Sequence, residues 1–153
     1  MRPSLAGSPS SPSRPQINLQ TSPIMSIWIK ILLVFVSGGI GAVCRLLIEL
    51  GLKTNGLWAA FPTWLINSTG CLLIGIFAGL LVGSGWSDTT KTAFTLITMT
   101  GFCGGFSTFS SFTLDCVKYF ESGHLGVWII FGTATVMVGL FACAFGYWLG
   151  QRL

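Results

Sequence analysis

The chain has 153 residues, 52% of them hydrophobic and only 8% charged, with a net charge of +4 at pH 7. Soluble domains carry about 25% charged residues, so this composition excludes a soluble globular enzyme, a disordered protein and a nucleic-acid-binding domain. Basic residues beside apolar segments bear on membrane orientation rather than on polyanion binding.

Residues 1–24 include SPSSPSRPQINLQTSP, whose Ser and Pro content predicts a disordered tail. No apolar core and cleavage site follow directly on a basic start, so the tail does not read as a signal peptide. Met25 is a candidate start, with residues 25–153 as the membrane domain. Beyond it, charge-free runs cover Thr54–Ser87, Thr92–Leu114 and Ser122–Gln151. Each exceeds the roughly 20 residues that cross a hydrocarbon core as a helix. A further apolar run from about Ile27 to Leu50 carries only Lys30, Arg45 and Glu49. Backbone polar groups in lipid need internal partners, and these runs are apolar on successive residues rather than alternating, which favours helices over a barrel. The expectation is an all-α integral membrane protein with four transmembrane helices at about 27–50, 62–84, 92–121 and 125–150.

Small residues mark the faces on which these helices pack. The first span carries Gly38, Gly41, Ala42 and Arg45 on one face. The second carries Asn67, Cys71, Gly75, Gly79 and Gly83 at intervals of four. The fourth carries Gly132, Thr135, Gly139, Cys143, Gly146 and Gly150. Such stripes let backbones approach where the hydrophobic effect is absent. Packing accounts for most of these glycines. Asn67 and Arg45 stand out, because polar side chains inside a membrane are expensive. For Arg45 two readings stand: a functional site, or a structural residue that bonds carbonyls or snorkels to the interface.

The third span has the most unusual chemistry, TGFCGGFSTFSSFTLD at 100–115. Gly104–Gly105 weakens the helix and predicts a break in mid-membrane. Ser107, Thr108, Ser110, Ser111 and Thr113 crowd the same stretch with hydroxyls. Phe106, Phe109 and Phe112 recur every third residue. A broken helix frees carbonyls for a cation and N–H groups for an anion. The positive edge of an aromatic ring attracts an anion without any full charge, and Asn67 and the hydroxyls can donate to the same ion. The set suits a small, strongly hydrated anion that is bound weakly enough to leave.

The five cysteines are scattered, odd in number and without a CxxC pair, so they read as small hydrophobes. His124 is the sole histidine and reads as a solvated loop residue. A metal cluster or catalytic triad has too little material. With both ends of the membrane domain on one side, Lys30, Lys91 and Arg152 fall toward one face and Arg45, Lys53 and Lys118 toward the other. That tie gives the positive-inside rule no direction. A chain without charge bias can insert both ways up and pair antiparallel, although Arg2 and Arg14 break the tie if the tail is present. A bundle of four helices fills its own interior, so a conducting unit calls for an oligomer.

GGFSTFSSF (Gly104–Phe112) resembles the GGxTTFSTF signature of the CrcB/Fluc fluoride channel family. GGIGAVCR (Gly38–Arg45) resembles its GGxxGAxxR motif, and PTWLINSTG (Pro62–Gly70) is similar to its GTLxxNxxG pattern. The three motifs appear in the family's order, and the resemblance covers essentially all of residues 25–153. The resemblance implies a fluoride-selective passive channel, not an enzyme, working as a dual-topology homodimer with two pores in the cell membrane. Asn67, Phe109 and Phe112 match pore positions. Ser110 and Ser111 fall in the polar run, and Thr135 aligns loosely with a pore hydroxyl. Gly104 and Ser107 match the positions whose carbonyls hold a structural sodium ion at the dimer interface. Arg45 matches the first-helix arginine near a vestibule. Departures are Ser107 and Ser111 for Thr, Pro62 for Gly and Asp115 for Glu; both serines keep a hydroxyl.

HF crosses lipid from an acidic medium and ionises in neutral cytoplasm, and a passive channel then lets the membrane potential expel the trapped anion. A proton-coupled multidrug exporter would need a carboxylate deep in the first helix, where this chain has Arg45 and, near the end, Glu49. A non-transporting accessory protein leaves the hydroxyl-rich third span unexplained. Homodimer and heterodimer with a paralogue both remain open.

Overall fold

The computed structural model describes residues 25–52 and 54–153; the Ser/Pro-rich tail and Lys53 of the charge tally lie outside the described residues. The described chain is all-helical, with no strand among its elements. Helix α1 runs Ile27–Gly51 and α2 Phe61–Leu81, joined through a 3-10 turn at Gly56–Trp58. Pro62 opens α2, where its missing N–H would have no intrahelical acceptor in any case. α2 ends before the expected residue 84, because Val82 is extended and Gly83 takes φ +70°.

Helix α3 covers 88–106, and it changes type along its length. It is α-helical at Asp88–Phe94, π-helical at Thr95–Cys103 and α-helical again at Gly104–Phe106. Ser87 caps its start by accepting the Thr90 N–H at 3.2 Å. Helix α4 is Phe109–Glu121 and α5 is Leu125–Gly150. Between them Gly123 takes φ +75°, with its N–H on Phe120 O and the His124 N–H on Tyr119 O. This is a Schellman closure, and it turns the chain back within three residues. Three segments are long and apolar enough to cross a membrane: Ile27–Gly51, Gly56–Leu81 and Leu125–Gly150. The third span, expected at 92–121 with a break in it, consists of α3 and α4 separated by the extended residues Ser107 and Thr108.

Burial is inverted relative to a soluble core. Phe35, Ile129, Ile130 and Phe141 point outward, while Gly41, Gly70, Gly75, Gly79, Gly139 and Gly146 are buried. In lipid, apolar burial drives nothing, and close contact between backbones supplies the attraction. A Cβ on Gly41 would strike the Phe102 carbonyl and lie 2.9 Å from Phe106 N. Gly38 meets Gly101 one turn earlier, so α1 and α3 run parallel. The second tight pair is α2 with α5. Gly75 abuts the Cys143 backbone, and Gly79 abuts Tyr147 and Gln151. From the other side, Gly146 abuts Leu72 and Ile76. These helices are also parallel. Glycine is disfavoured in a helix by about 1 kcal/mol relative to alanine, but at Gly41, Gly75, Gly79 and Gly146 even a methyl group has no room. All five cysteines are free.

Candidate functional site

The interruption of the third span lies at Ser107 (φ −81°, ψ 154°) and Thr108 (φ −146°, ψ 113°). The expected break at Gly104–Gly105 is therefore misplaced. Gly104 is helical at φ −64°, ψ −35°, and Gly105 serves a different end: a Cβ there would run into the Gly38 backbone of α1. Gly105 brings α3 against α1, and the chain opens just beyond it, where side chains offer substitute partners.

Asn67 is the main substitute. The Thr108 N–H donates to Asn67 Oδ1 at 2.8 Å, and Asn67 Nδ2 donates to the Thr108 carbonyl at 3.1 Å. The amide thus pairs with the Thr108 backbone as a neighbouring strand would, and the backbone donor fixes which side-chain atom is oxygen. The sequence marked Asn67 as a donor to an ion; its oxygen and one of its two N–H groups are committed to the backbone. The sequence counts Thr108 only among the hydroxyls of the third span, not as a cap or as the partner of Asn67. It is buried, and its Oγ1 accepts the Ser111 N–H at 3.3 Å, capping α4. The same oxygen lies 3.0 Å from Ser110 Oγ and donates to Ser111 Oγ at 3.3 Å. A threonine directly before the FSSF run carries an N-cap signature that could have revealed it. Gly70 makes room for the opening, since a Cβ there would sit 2.9 Å from Ser107 Cβ. Ser107 turns its own hydroxyl to Cys103 O at 2.9 Å.

Two more polar links join α2 to α4. Thr63 Oγ1 donates to Asp115 Oδ2 at 2.7 Å, and Asp115 also meets Lys118 at 3.3 Å, the one ion pair among the described residues. The Tyr119 hydroxyl donates to Leu57 O at 2.9 Å and accepts the Ala60 N–H at 3.3 Å. The order of these contacts, 60 with 119, 63 with 115 and 67 with 108, makes α4 antiparallel to α2.

The phenylalanines do not stay together. Phe106 belongs to α3, is buried and stacks on Phe102 with ring centroids 5.7 Å apart. Phe109 and Phe112 begin a different row. Phe109 to Phe112 is 5.6 Å, Phe112 to Phe131 is 5.6 Å, and Phe131 to Tyr119 is 5.7 Å. Phe109 is 75% exposed and Phe112 only 8%, so the row leads from the outside of the single chain into it. Phe131 was not among the sequence candidates, because only tertiary packing brings α5 to α4. Phe131 and Tyr119 line an apolar cleft of about 460 Å³ with Trp58, Phe61 and Trp64.

Asn67, Ser107, Ser110, Ser111, Phe109 and Phe112 therefore gather at one place. Thr135 is buried on α5 one turn beyond Phe131 and donates to the Phe131 carbonyl at 2.7 Å, which leaves its oxygen only as an acceptor. Arg45 is half-buried. Gly41 lies against Phe106 N, so one further turn of the parallel α1 brings Arg45 level with the opening without placing it in the polar cluster. Gly104 is exposed beside the end of α3. Among the described residues no group of three His, Cys, Asp or Glu side chains can hold a metal.

Fold and site define an all-helical, multi-pass membrane protein with a polar opening set among aromatic rings. Residues 32–147 match the family described as CrcB-like protein, Camphor Resistance (CrcB), and the chain belongs to that family. It is similar to the "Fluoride-specific ion channel FluC" of Azobacteroides pseudotrichonymphae genomovar. CFP2, 36% identical over 80% of this chain and 96% of the relative. It is 43% identical to the protein of that name from Rhodopseudomonas palustris, over 65% of this chain and 78% of the relative. The Bacteroides fragilis protein of the same name is 31% identical over 80% of this chain and 97% of the relative.

Proposed function

We propose that this chain is a fluoride-selective passive channel of the cell membrane, which releases cytoplasmic fluoride down its electrochemical gradient and so limits toxicity. The observation that carries this is Phe109. It is 75% exposed, directly follows the opened backbone and shares its turn with the Ser110 and Ser111 hydroxyls, in a family whose relatives bear the name of fluoride-specific channels. Ring edges, hydroxyl donors and the uncapped N–H groups of α4's first turn offer partial positive charge without a fixed cation. That combination binds a small hydrated anion and also lets it go. A fixed lysine or arginine in the path would hold the ion too long.

The working unit is an antiparallel homodimer with two pores. Phe109 faces out of the single chain, which suits a pathway completed by a second copy. The two ends of the molecule also carry similar anchors. Trp28, Trp86 and Trp148 lie at the end where α1 begins, and Trp58, Trp64 and Trp128 at the opposite end. Interfacial tryptophans hold a protein in the bilayer, and three at each end leave neither orientation favoured. In this reading Asn67, Phe109, Phe112, Ser110, Ser111 and Thr135 line or shape the pore, the opening at 107–108 lies within the membrane, and Arg45 stands near its mouth.

A sodium ion held between the two copies by the carbonyls of Gly104 and Ser107 completes the assembly. The residues fit such an ion. The C-terminal end of α3 carries partial negative charge on its last carbonyls, Gly104 is exposed there, and hard oxygen donors suit an alkali cation. When bound, the ion supplies charge compensation for carbonyls that have no partner in lipid.

The test is fluoride efflux from liposomes that hold only the purified protein, with voltage clamped by a potassium ionophore and chloride-loaded vesicles alongside. Rapid fluoride loss without chloride loss is the expected result. Equal loss of both ions would reject the selective pore, and no loss would reject a self-sufficient homodimer.

A further inference from the structure

In an uninterrupted α-helix the Thr108 N–H would close on the Gly104 carbonyl, four residues back, and the Ser111 N–H on the Ser107 carbonyl. Neither does. The Thr108 N–H donates to Asn67 Oδ1 at 2.8 Å. The Ser111 N–H donates to Thr108 Oγ1 at 3.3 Å. Among the described residues no hydrogen bond outside the helices ends on the Gly104 or Ser107 carbonyl. The carbonyls of Gly105 and Phe106 lose their helical donors too; those donors, on Phe109 and Ser110, are first-turn amides of α4, as is that on Ser111, but among the described residues no side chain accepts them. Only the donors that would return to positions 104 and 107 are captured by side chains.

The capture is firm on the Asn67 side. Its Nδ2 also holds the Thr108 carbonyl at 3.1 Å, so the Thr108 backbone is gripped on both sides and its N–H cannot swing back to Gly104. Gly70, without a Cβ, lets Ser107 sit close to α2 while this happens. Free carbonyls at membrane depth are costly unless something meets them. Two of them kept free by dedicated acceptors amount to a prepared cation site.

We infer that Asn67 and Thr108 are positioning residues for the cation: each removes the N–H that would otherwise occupy one of the two carbonyl ligands its chain offers. The inference rests on the sodium site proposed above and assigns its control to side chains that do not touch the ion. It also gives Asn67 a task separate from contact with the anion.

The experiment uses the purified full chain in liposomes and follows Tm against sodium concentration, with N-methyl-D-glucamine as the replacing cation. Binding to the folded state alone raises Tm with sodium. Loss of a cap by itself lowers Tm equally at every sodium concentration, whereas loss of a diverting acceptor moves the half-saturating concentration. Thr108→Val should move it up by about tenfold, the equivalent of one regained hydrogen bond. Thr108→Ser, which keeps the acceptor, should restore it. Asn67→Leu should act like Thr108→Val. Asn67→Asp keeps an oxygen for the Thr108 N–H, so it should retain the sodium response even where a like charge suppresses fluoride flux. Should Thr108→Val not fold, the Asn67→Leu and Asn67→Asp pair decides alone. A sodium response in the parent that none of these variants shifts would overturn the inference and leave the cation site standing. A parent indifferent to sodium would remove the cation site and the inference together.

Discussion

The two tight helix pairs and the α2–α4 contact are assembled by opposite means. α1 with α3 and α2 with α5 press backbone on backbone, through glycines whose Cβ positions are already occupied by neighbouring carbonyls. α4 is held to α2 by single polar links spaced along it, Thr108 to Asn67, Asp115 to Thr63 and Tyr119 to Ala60 and Leu57. Glycine contact excludes everything else, so it builds walls. Polar links hold a helix at a distance and keep hydroxyls and carbonyls unsealed, which is what an ion path requires.

Breaking the walls should have the largest effect. Gly146→Leu drives a side chain into the Leu72 and Ile76 backbone, which cannot yield. We expect a loss of about 3 kcal/mol or more, seen as absence of a folded species on size exclusion. Breaking the path without the walls comes next. Phe109→Ile keeps an apolar side chain but loses the ring edge, and fluoride flux should fall by about tenfold or more while the elution position on size exclusion stays unchanged; unaltered flux would reject the ring-edge mechanism. Tyr119→Phe removes one link and leaves the ring against Phe131. It should lower Tm by the equivalent of about 1 kcal/mol, and an unchanged Tm would show the Ala60 and Leu57 groups to be satisfied by water. The smallest effect sharpens the contrast among glycines. Gly126 has nothing within 4 Å of its Cβ position, so Gly126→Ala should raise stability by about 0.5–1 kcal/mol, measured by thermal unfolding.

The walls were legible in the sequence because one helix writes them at a fixed period. Cys71, Gly75 and Gly79 on α2, and Gly139, Cys143, Gly146 and Gly150 on α5, do meet each other. Gly83, counted in the same stripe, falls outside the helix and serves its end. The polar side was less legible. Glycine both weakens helices and brings them together, and the sequence does not say which role Gly104–Gly105 plays. The opening was therefore placed at the glycines rather than at Ser107–Thr108. Phe106 keeps the three-residue spacing of Phe109 and Phe112 yet parts from them, because spacing has meaning only within an unbroken helix. Phe131, Tyr119 and the Asn67–Thr108 pair depend on contacts between distant segments, which no local pattern encodes.

The pairing order also constrains biosynthesis. α1 and α2 are neighbours in sequence but touch only sparsely; α1 finds its close partner two helices later, in α3, and α2 three helices later, in α5. No early hairpin can lock as the chain emerges. The glycine groove of α2 stays open until α5, the final helix, has entered the bilayer. Non-local contacts of this kind slow assembly. A chain cut short before residue 125 would present that groove to the lipid, where quality-control proteases could recognise it. Arrival of α5 thus closes the glycine groove of α2.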